Sequence, residues 1–174
     1  REVIKQTAER RGEPTQPSVD PYWNRDFGWG MIDARKAVEL SIHLYETNQS
    51  NEVDWTLQNH LLNVSEEGSM SVIVGHSWGI EGSIEQVEYR IDEGEWLEVT
   101  YEVVPSEIES LTPFNWTLAL DRNGLSFGEH TVEIRATASS GNSLPVIVSI
   151  DGIGGGYSVA GMSAYLASFA VVLF

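Results

Sequence analysis

The residues with the clearest chemical potential lie in SVIVGHSWGIEG, residues 71–82. Gly75-His76-Ser77-Trp78-Gly79 fits G-x-S-x-G, the elbow that lifts a nucleophilic serine clear of its sheet, and an apolar run at 72–74 leads into it. An elbow serine needs a helix directly after it, because the helix N-terminus supports the oxyanion hole. Ser77 is instead succeeded by Gly79, Gly82 and then an alternating strand. The order serine, acid, histidine can be assembled from Ser77, Asp92 or Asp121, and His130, but no alternating strand and helix units separate them to set a catalytic geometry. Ser77 therefore reads as an ordinary serine at a strand end leading into a turn. An esterase using Ser77 is the weakest of three functional readings.

Other chemical signals are equally short of context. Asp26-Phe27-Gly28 spells the kinase magnesium motif, without a glycine-rich nucleotide loop or an H-R-D segment. The glycines of 152–156 fail G-x-G-x-x-G because Tyr157 holds the last position. His43, His60, His76 and His130 are scattered, with no H-E-x-x-H spacing, and read as surface or turn residues rather than ligands. There is no cysteine, which excludes disulfides, thiolate catalysis and cysteine zinc sites. The calcium-loop pattern D-x-D-x-D-G does not occur. The sequence thus assigns this chain no catalytic residue, no cofactor and no metal.

Charge narrows the partners. The formal net charge over 174 residues is -16, and between Glu81 and Glu109 Arg90 is the sole basic residue among ten acids. Such a surface repels phosphate backbones, so nucleic acid is not an expected partner, and the acidic run reads as a solvated face. The last 23 residues, GIGGGYSVAGMSAYLASFAVVLF, carry no charged side chain. About 20 mainly apolar residues span a bilayer as a helix, so residues 152–174 are expected to be a membrane anchor.

The elements ahead of that tail fall into two groups, joined by the polar NQSNE at 48–52. Residues 2–45 read as helical. Val3, Ile4, Thr7 and Ala8 form one helical face, and Asp33 can cap a second helix whose Ala34, Ala37, Val38, Ser41 and Tyr45 share one side. Two short helices around a proline-rich loop cannot bury a core alone, so this region must pack on something further. Residues 53–150 read as all-β. Val87, Tyr89 and Ile91 alternate with charged residues, and Phe114, Trp116, Leu118 and Leu120 form a second stripe of period two. Val132, Ile134 and Ala136 form a third, and runs at 53–57, 61–64, 71–74 and 146–150 bring the total to seven strands. Turns are expected at 92–95, 122–124 and 140–143. Asn48-Gln49-Ser50, Asn63-Val64-Ser65 and Asn115-Trp116-Thr117 are glycosylation sequons, which permit an exterior location.

Two stretches resemble known families. Val3, Thr7 and Ala8, then Gly28-Trp29-Gly30-Met31-Ile32-Asp33-Ala34, then Ala37-Val38 resemble the end of a subtilisin-like serine protease domain, with Gln6 standing where that family has a leucine. Gly75-His76-Ser77, Glu81-Gly82-Ser83-Ile84, residues 87–96, Asn115-Trp116-Thr117 and residues 128–136 resemble the immunoglobulin-like modules of secreted prokaryotic proteins. The resemblance implies a mainly β chain in three parts. Residues 1–46 are the terminal helices of a truncated α/β subtilisin-like domain, 53–150 an immunoglobulin-like β-sandwich, and 152–174 a hydrophobic transmembrane helix. It implies a secreted, membrane-anchored serine endopeptidase on the extracellular face of the membrane. Its aspartate, histidine and serine triad would lie upstream, since no G-T-S-M segment occurs here. The chain opens on Arg1 rather than methionine and reads as the non-catalytic end of such a protein. The implied partners are a protein or peptide substrate, through the missing catalytic domain, and the membrane. The main alternative is a non-enzymatic surface protein in which the β module serves adhesion or spacing.

Overall fold

The computed structural model describes residues 1–16, 22–101 and 103–154. They are mainly β, with two short α-helices ahead of two antiparallel sheets. The first sheet is formed by β1 (Leu57–Glu67), β2 (Met70–Gly79), β6 (Phe114–Asp121) and β5 (Thr100–Tyr101), neighbouring in that order. The second places β4 (Leu97–Glu98) beside β3 (Gln86–Ile91) and β3 beside β7 (Gly128–Ala138). The far side of β7 pairs with both β8 (Gly141–Asn142) and β9 (Val146–Gly152).

The three alternating stripes read from the sequence supply the core. Trp116, Leu118 and Leu120 of β6 meet Val87 of β3 and Val132, Ile134 and Ala136 of β7, with Val146, Val148 and Ile150 of β9 beside them. Successive strand residues point to opposite faces, so each stripe has only one face to bury, and that face turns toward the other sheet. The turn at 92–95 is tight: Asp92 and Glu93 both have positive φ (48° and 60°), and Gly94 N–H donates to the Ile91 carbonyl at 2.9 Å. That backbone suits the twist of a hairpin and is unusual for two non-glycine residues.

Three expectations change. The runs at 53–57 and 61–64 are not separate strands: β1 is continuous over eleven residues, with a bulge between Leu61 and Asn63, and Val53 makes an isolated bridge to Asn142. Gly75-His76-Ser77 is not a strand end, because β2 runs on to Gly79, pairing Ser77 with Asn59 on one side and Phe114 on the other. The third concerns the helices.

α1 (Glu2–Thr7) and α2 (Ala34–Glu46) lie against the β body. Asp33 caps α2 as expected, its side chain accepting from Lys36 N–H at 3.0 Å. The buried side of α2 is Leu40 and Leu44, which pack on Leu144 with Val3 and Val53 alongside. The expected face is instead turned outward: Val38 is 57% and Tyr45 82% exposed, with Ala34 and Ser41 exposed and Ala37 half-buried. The helix carries two apolar stripes, and periodicity alone does not say which one the protein covers. Gly30 is held against the start of the chain, where a Cβ would lie 2.2 Å from the Glu9 carbonyl oxygen, and Glu9 and Met31 exchange backbone hydrogen bonds of 2.8 and 2.9 Å.

The expected anchor at 152–174 lies outside the described residues from Gly155 onward. Among the described residues no helix is long and apolar enough to cross a membrane.

Gly75 is a close-packed point of the core, since a Cβ there would stand 2.0 Å from Trp116 Cζ2 and 2.5 Å from the His60 carbonyl oxygen. Gly75→Ala is predicted to lower the unfolding free energy by more than about 2 kcal/mol, as overpacking of a dense core does. Urea denaturation followed by tryptophan fluorescence reads this directly, and an unchanged midpoint would contradict the packing described.

Candidate functional site

Ser77 has no solvent exposure. Its place in β2 puts it on the inner face with Ser71, Ile73 and Gly75, while His76, its neighbour in sequence, is on the outer face. Its hydroxyl donates to Asn59 Oδ1 at 2.8 Å and accepts from Trp116 Nε1 at 3.0 Å. Trp116 Nε1 also reaches Asn59 Oδ1 at 3.0 Å, and Asn59 Nδ2 donates across the sheets to the Ile134 carbonyl at 2.8 Å. A nucleophile needs a base and access to substrate, and Ser77 has an amide partner and neither.

A serine, histidine and aspartate do meet elsewhere. His130 Nδ1 bonds Asp92 Oδ2, and His130 Nε2 stands 3.1 Å from Ser126 Oγ and 2.9 Å from the Ser126 carbonyl oxygen. The sequence offered the Asp92 and His130 pair, but not with Ser126. A carbonyl can only accept, so it calls for a proton on Nε2 while Asp92 takes the one on Nδ1. That arrangement favours the imidazolium, whose pKa is raised by the hydrogen bond to Asp92 and then by that to the Ser126 carbonyl. A general base needs a free Nε2 lone pair, so the trio fastens two turns rather than activating Ser126. Asp92 also accepts from Thr131 N–H at 2.9 Å, which fixes its positive-φ backbone.

The remaining histidines lie where the N-terminal segment meets the two sheets. On the outer face of the first sheet, His60, His76 and Trp78 are covered by Tyr22 and Arg10. Tyr22 bonds His76 Nε2, its ring centroid is 4.3 Å from that of His60, and the Arg10 guanidinium lies 3.6 Å from its face. Arg10 donates to His60 Nδ1 at 3.0 Å, which requires an unprotonated nitrogen there. Burial, with Arg10 close by, pushes the His60 pKa well below its ordinary value and that of His76 down to about 4. On the outer face of the second sheet, His43 Nε2 bonds the buried Glu133 at 2.8 Å, and Gln49 and Arg90 join the same carboxylate at 3.0 and 2.8 Å. Burial alone would raise the Glu133 pKa; these partners hold it below the ordinary value.

The expectation of surface or turn histidines is thus corrected for His60, which is buried in an aromatic cluster, and for His130, which is buried at the start of β7. The period-two position of His60 beside inward-facing Asn59 places it on the outer face, but nothing in the sequence shows that Tyr22 returns to cover it. Asp26-Phe27-Gly28 closes a small hairpin, in which Asn24 and Gly28 exchange backbone hydrogen bonds of 2.7 Å and Asn24 Oδ1 accepts from Asp26 N–H. Among the described residues no group of three or more acidic or histidine side chains is placed to hold a metal ion.

Where the N-terminal segment passes over the edges of both sheets it leaves a cleft of about 640 Å³. Leu61 of β1 and Val146, Ile147 and Ser149 of β9 line it from the sheets. α2 contributes Lys36, Leu40 and His43, and Gln6, Thr7 and Arg10 close it from the first segment. Its size falls within the range of about 300–1,000 Å³ that ligand sites occupy, which makes it the candidate binding site of the chain.

No known family model matches this chain, and no curated protein matches it. Among solved structures, the endo-beta-1,4-mannanase from Thermotoga petrophila is similar at 16% identity and a TM-score of 0.41. The match covers 82% of this chain and 30% of that one. A likeness of that size carries no functional argument.

Two predictions rest on these clusters. Ser77→Ala removes one member of a satisfied buried network and is predicted to cost about 1–2 kcal/mol, with Asn59→Ala costing more because it leaves the Trp116 N–H and the Ile134 carbonyl without this partner. Denaturation of both variants and their double mutant reads the coupling; additive losses would show that the network does not act as a unit.

The histidines set opposite pH dependences. His130, raised in the folded state, stabilises fully below its unfolded value near 6.5 and less as pH climbs through its folded value. His60 and His76, depressed, withdraw stability as pH falls below 6.5, in the case of His76 down to about 4. Stability is therefore predicted to decline on both sides of neutrality, and His130→Gln to flatten the alkaline limb; a wild-type alkaline limb retained in that variant would remove His130 as its cause.

Proposed function

We propose that this chain is the non-catalytic C-terminal part of a secreted, membrane-anchored subtilisin-like serine endopeptidase, with an immunoglobulin-like module between enzyme and membrane. The observation that carries this reading is the outward face of the N-terminal segment. Met31, Ile32 and Val38, which occupy the protease-like motif, are exposed, Ile32 by 66%, and Ile42 and Tyr45 extend the same apolar surface. Exposed apolar side chains gathered on one segment support a surface that another protein body covers. They are the positions that, by the resemblance, pack on the catalytic domain. Gly28 and Gly30, both at positive φ, supply the tight turn that the same motif calls for.

The immunoglobulin-like part of the reading is supported by strand order. Taken in sequence, the first, second, sixth and fifth strands form one sheet, and the fourth, third, seventh and ninth form the other, in which the two-residue eighth strand also pairs with the seventh. That matches the A-B-E-D and C′-C-F-G arrangement of such modules, with the cross-sheet tryptophan here on β6 instead of the third strand. In the intact protein the chemistry would be acyl transfer to water by an upstream triad, and the β module would hold the enzyme off the membrane.

A surface spacer without enzymatic activity is the second reading. It is favoured by the packing of Leu40, Leu44 and His43 on the β body, which makes residues 1–46 a cap that belongs to this module. The two readings separate on Ile32→Glu with Val38→Glu. In the 174-residue chain both positions are exposed, and the double variant is expected to shift stability by no more than about 0.5 kcal/mol per site. In the protein expressed from the complete gene, the same pair is expected to abolish most labelling by a fluorophosphonate serine probe, since two charges would be buried at the domain contact. Absence of labelling in the complete wild-type protein, or labelling indifferent to the double variant, would overturn the protease reading.

A further inference from the structure

We propose that the end of the β body bearing Phe127 and Ile153 rests on the surface of a zwitterionic bilayer, an inference that depends on the reading of residues 152–174 as a membrane anchor. The first observation is where the uncharged run begins. Asp151, the charged residue that precedes the run, is still in β9. Gly152 pairs with Gly128, and Ile153 N–H donates to the Arg122 carbonyl at 3.0 Å. A Cβ at Gly152 would stand 1.9 Å from the Ser126 carbonyl oxygen, and one at Gly154 2.0 Å from that of Asn123. The chain therefore leaves the β body against the loop at 122–127, with no charged spacer between that exit and the run. A bilayer that takes up the run holds this end of the body nearest to it.

The second observation is what surrounds the exit. Gly128 and Gly152 form the last pair of β7 and β9, so Phe127 and Ile153 are the next residues outward on the two strands. Phe127 is 87% exposed, the highest value among the large apolar side chains of the described residues, and Ile153 is 45% exposed. Phe127 stands on a built turn. Ser126 before it is held through its carbonyl and hydroxyl by His130, which Asp92 holds in turn. Gly128 after it has a φ of 124°, which a side chain would strain. The Asp92, His130 and Ser126 trio thus fixes the loop that presents an aromatic ring to solvent. Apolar side chains beside an apolar span settle at the boundary of headgroups and acyl chains.

The third observation is charge, which selects the lipid. Glu93, Asp121, Glu129 and Asp151 are exposed at this end, and Glu129 lies opposite Asp151 in the ladder. Arg122 is bonded to Glu66 and to the Gly68 carbonyl, each at 2.8 Å, and His130 to Asp92. Such a rim repels anionic headgroups, whereas phosphatidylcholine carries no net charge.

The chain has no cysteine, so one introduced cysteine takes a single environment-sensitive NBD label. Gly124→Cys places it beside the exit, where a Cβ meets nothing within 4 Å, and Ser110→Cys, ahead of β6, places it at the opposite end. The full 174-residue chain is reconstituted into phosphatidylcholine vesicles carrying a doxyl quencher near the headgroup, and flotation at alkaline pH reads the anchoring. Quenching is expected to be at least about threefold stronger for the label at 124 than for that at 110. Phe127→Ser with Ile153→Ser is expected to lower the quenching at 124 by about twofold, and so is replacing half of the lipid with phosphatidylglycerol. Both substituted side chains are exposed, and urea midpoints matching the unaltered chain establish that the variants are folded.

Equal quenching at the two labels, quenching at 124 indifferent to the double variant, or quenching that grows with phosphatidylglycerol would overturn the proposal. So would a shift of the label at 124 that appears without lipid and rises with chain concentration, which assigns the pair to a second copy of the chain. Vesicles that float with the chain but quench both labels alike overturn this inference and leave the anchor standing. A chain that does not float with the vesicles removes the anchor reading and this inference with it.

Discussion

The Trp116 indole lies where Gly75 has no side chain, and its N–H is shared between Asn59 and Ser77 in a core that contains little else that is polar. A buried N–H without a partner costs about 1–3 kcal/mol, so wherever Trp116 is placed, an acceptor must be placed with it. β1 and β2 supply one each. Asn59 then donates to the Ile134 carbonyl of the opposite sheet, so a single amide joins β1, β2, β6 and β7. β1 is an edge strand, paired among the described residues with β2 alone, and this cross-sheet tie fixes its register. The position of the cleft beside β1, and the side of the sheet on which His60 appears, depend on that register.

The N-terminal segment is held by a different physics on each sheet. On the first, contact is through rings: Tyr22 on His60 and Trp78, with Arg10 over Tyr22. It requires neutral imidazoles. On the second, contact is through a carboxylate: Glu133, 2% exposed, is joined by His43, Gln49 and Arg90. Ionising a carboxylate in such a place is tolerable only with several donors, and two of the three come from the N-terminal segment and its joint to β1. Removing the segment would therefore leave the second sheet with an under-partnered buried charge as well as an exposed apolar patch at Leu144.

Much of the β body was legible because its signals are local. The stripes at 87–91, 114–120 and 132–136 each alternate strictly, and a strand with one buried face has no other way to alternate. The turns at 92–95 and 122–124, and the Asp33 cap, were legible for the same reason: each is closed by a hydrogen bond between residues three apart in sequence, Gly94 to Ile91, Leu125 to Arg122 and Lys36 to Asp33. The misreadings all concern long-range choices. Glycines at 75 and 79 suggest an end to a strand, yet Gly75 is there to admit Trp116 from 41 residues away in sequence. α2 has two apolar stripes, and which is covered depends on Leu144, a hundred residues downstream. The Ser126, His130 and Asp92 trio needs two turns to meet at one end of the β body, and its chemistry is then decided by a carbonyl oxygen, which no residue type encodes.

α2 lies between the exposed apolar face and the cleft. Its outward side presents Val38, Ile42 and Tyr45, while Lys36, Leu40 and His43 line the cleft, so one thirteen-residue helix contributes to both. The helix is anchored at Leu40 and Leu44 by packing and at His43 by the buried carboxylate, all in its second half. Lys36 is in the first turn, beyond those anchors, and is tied only to the capping Asp33. A body docked on Val38 and Ile32 would press on that less constrained end, and the cleft wall that would respond is the one carrying Lys36. Within α2 the first turn is the part whose movement breaks none of these contacts, because Leu40, His43 and Leu44 hold the rest of the helix from beneath.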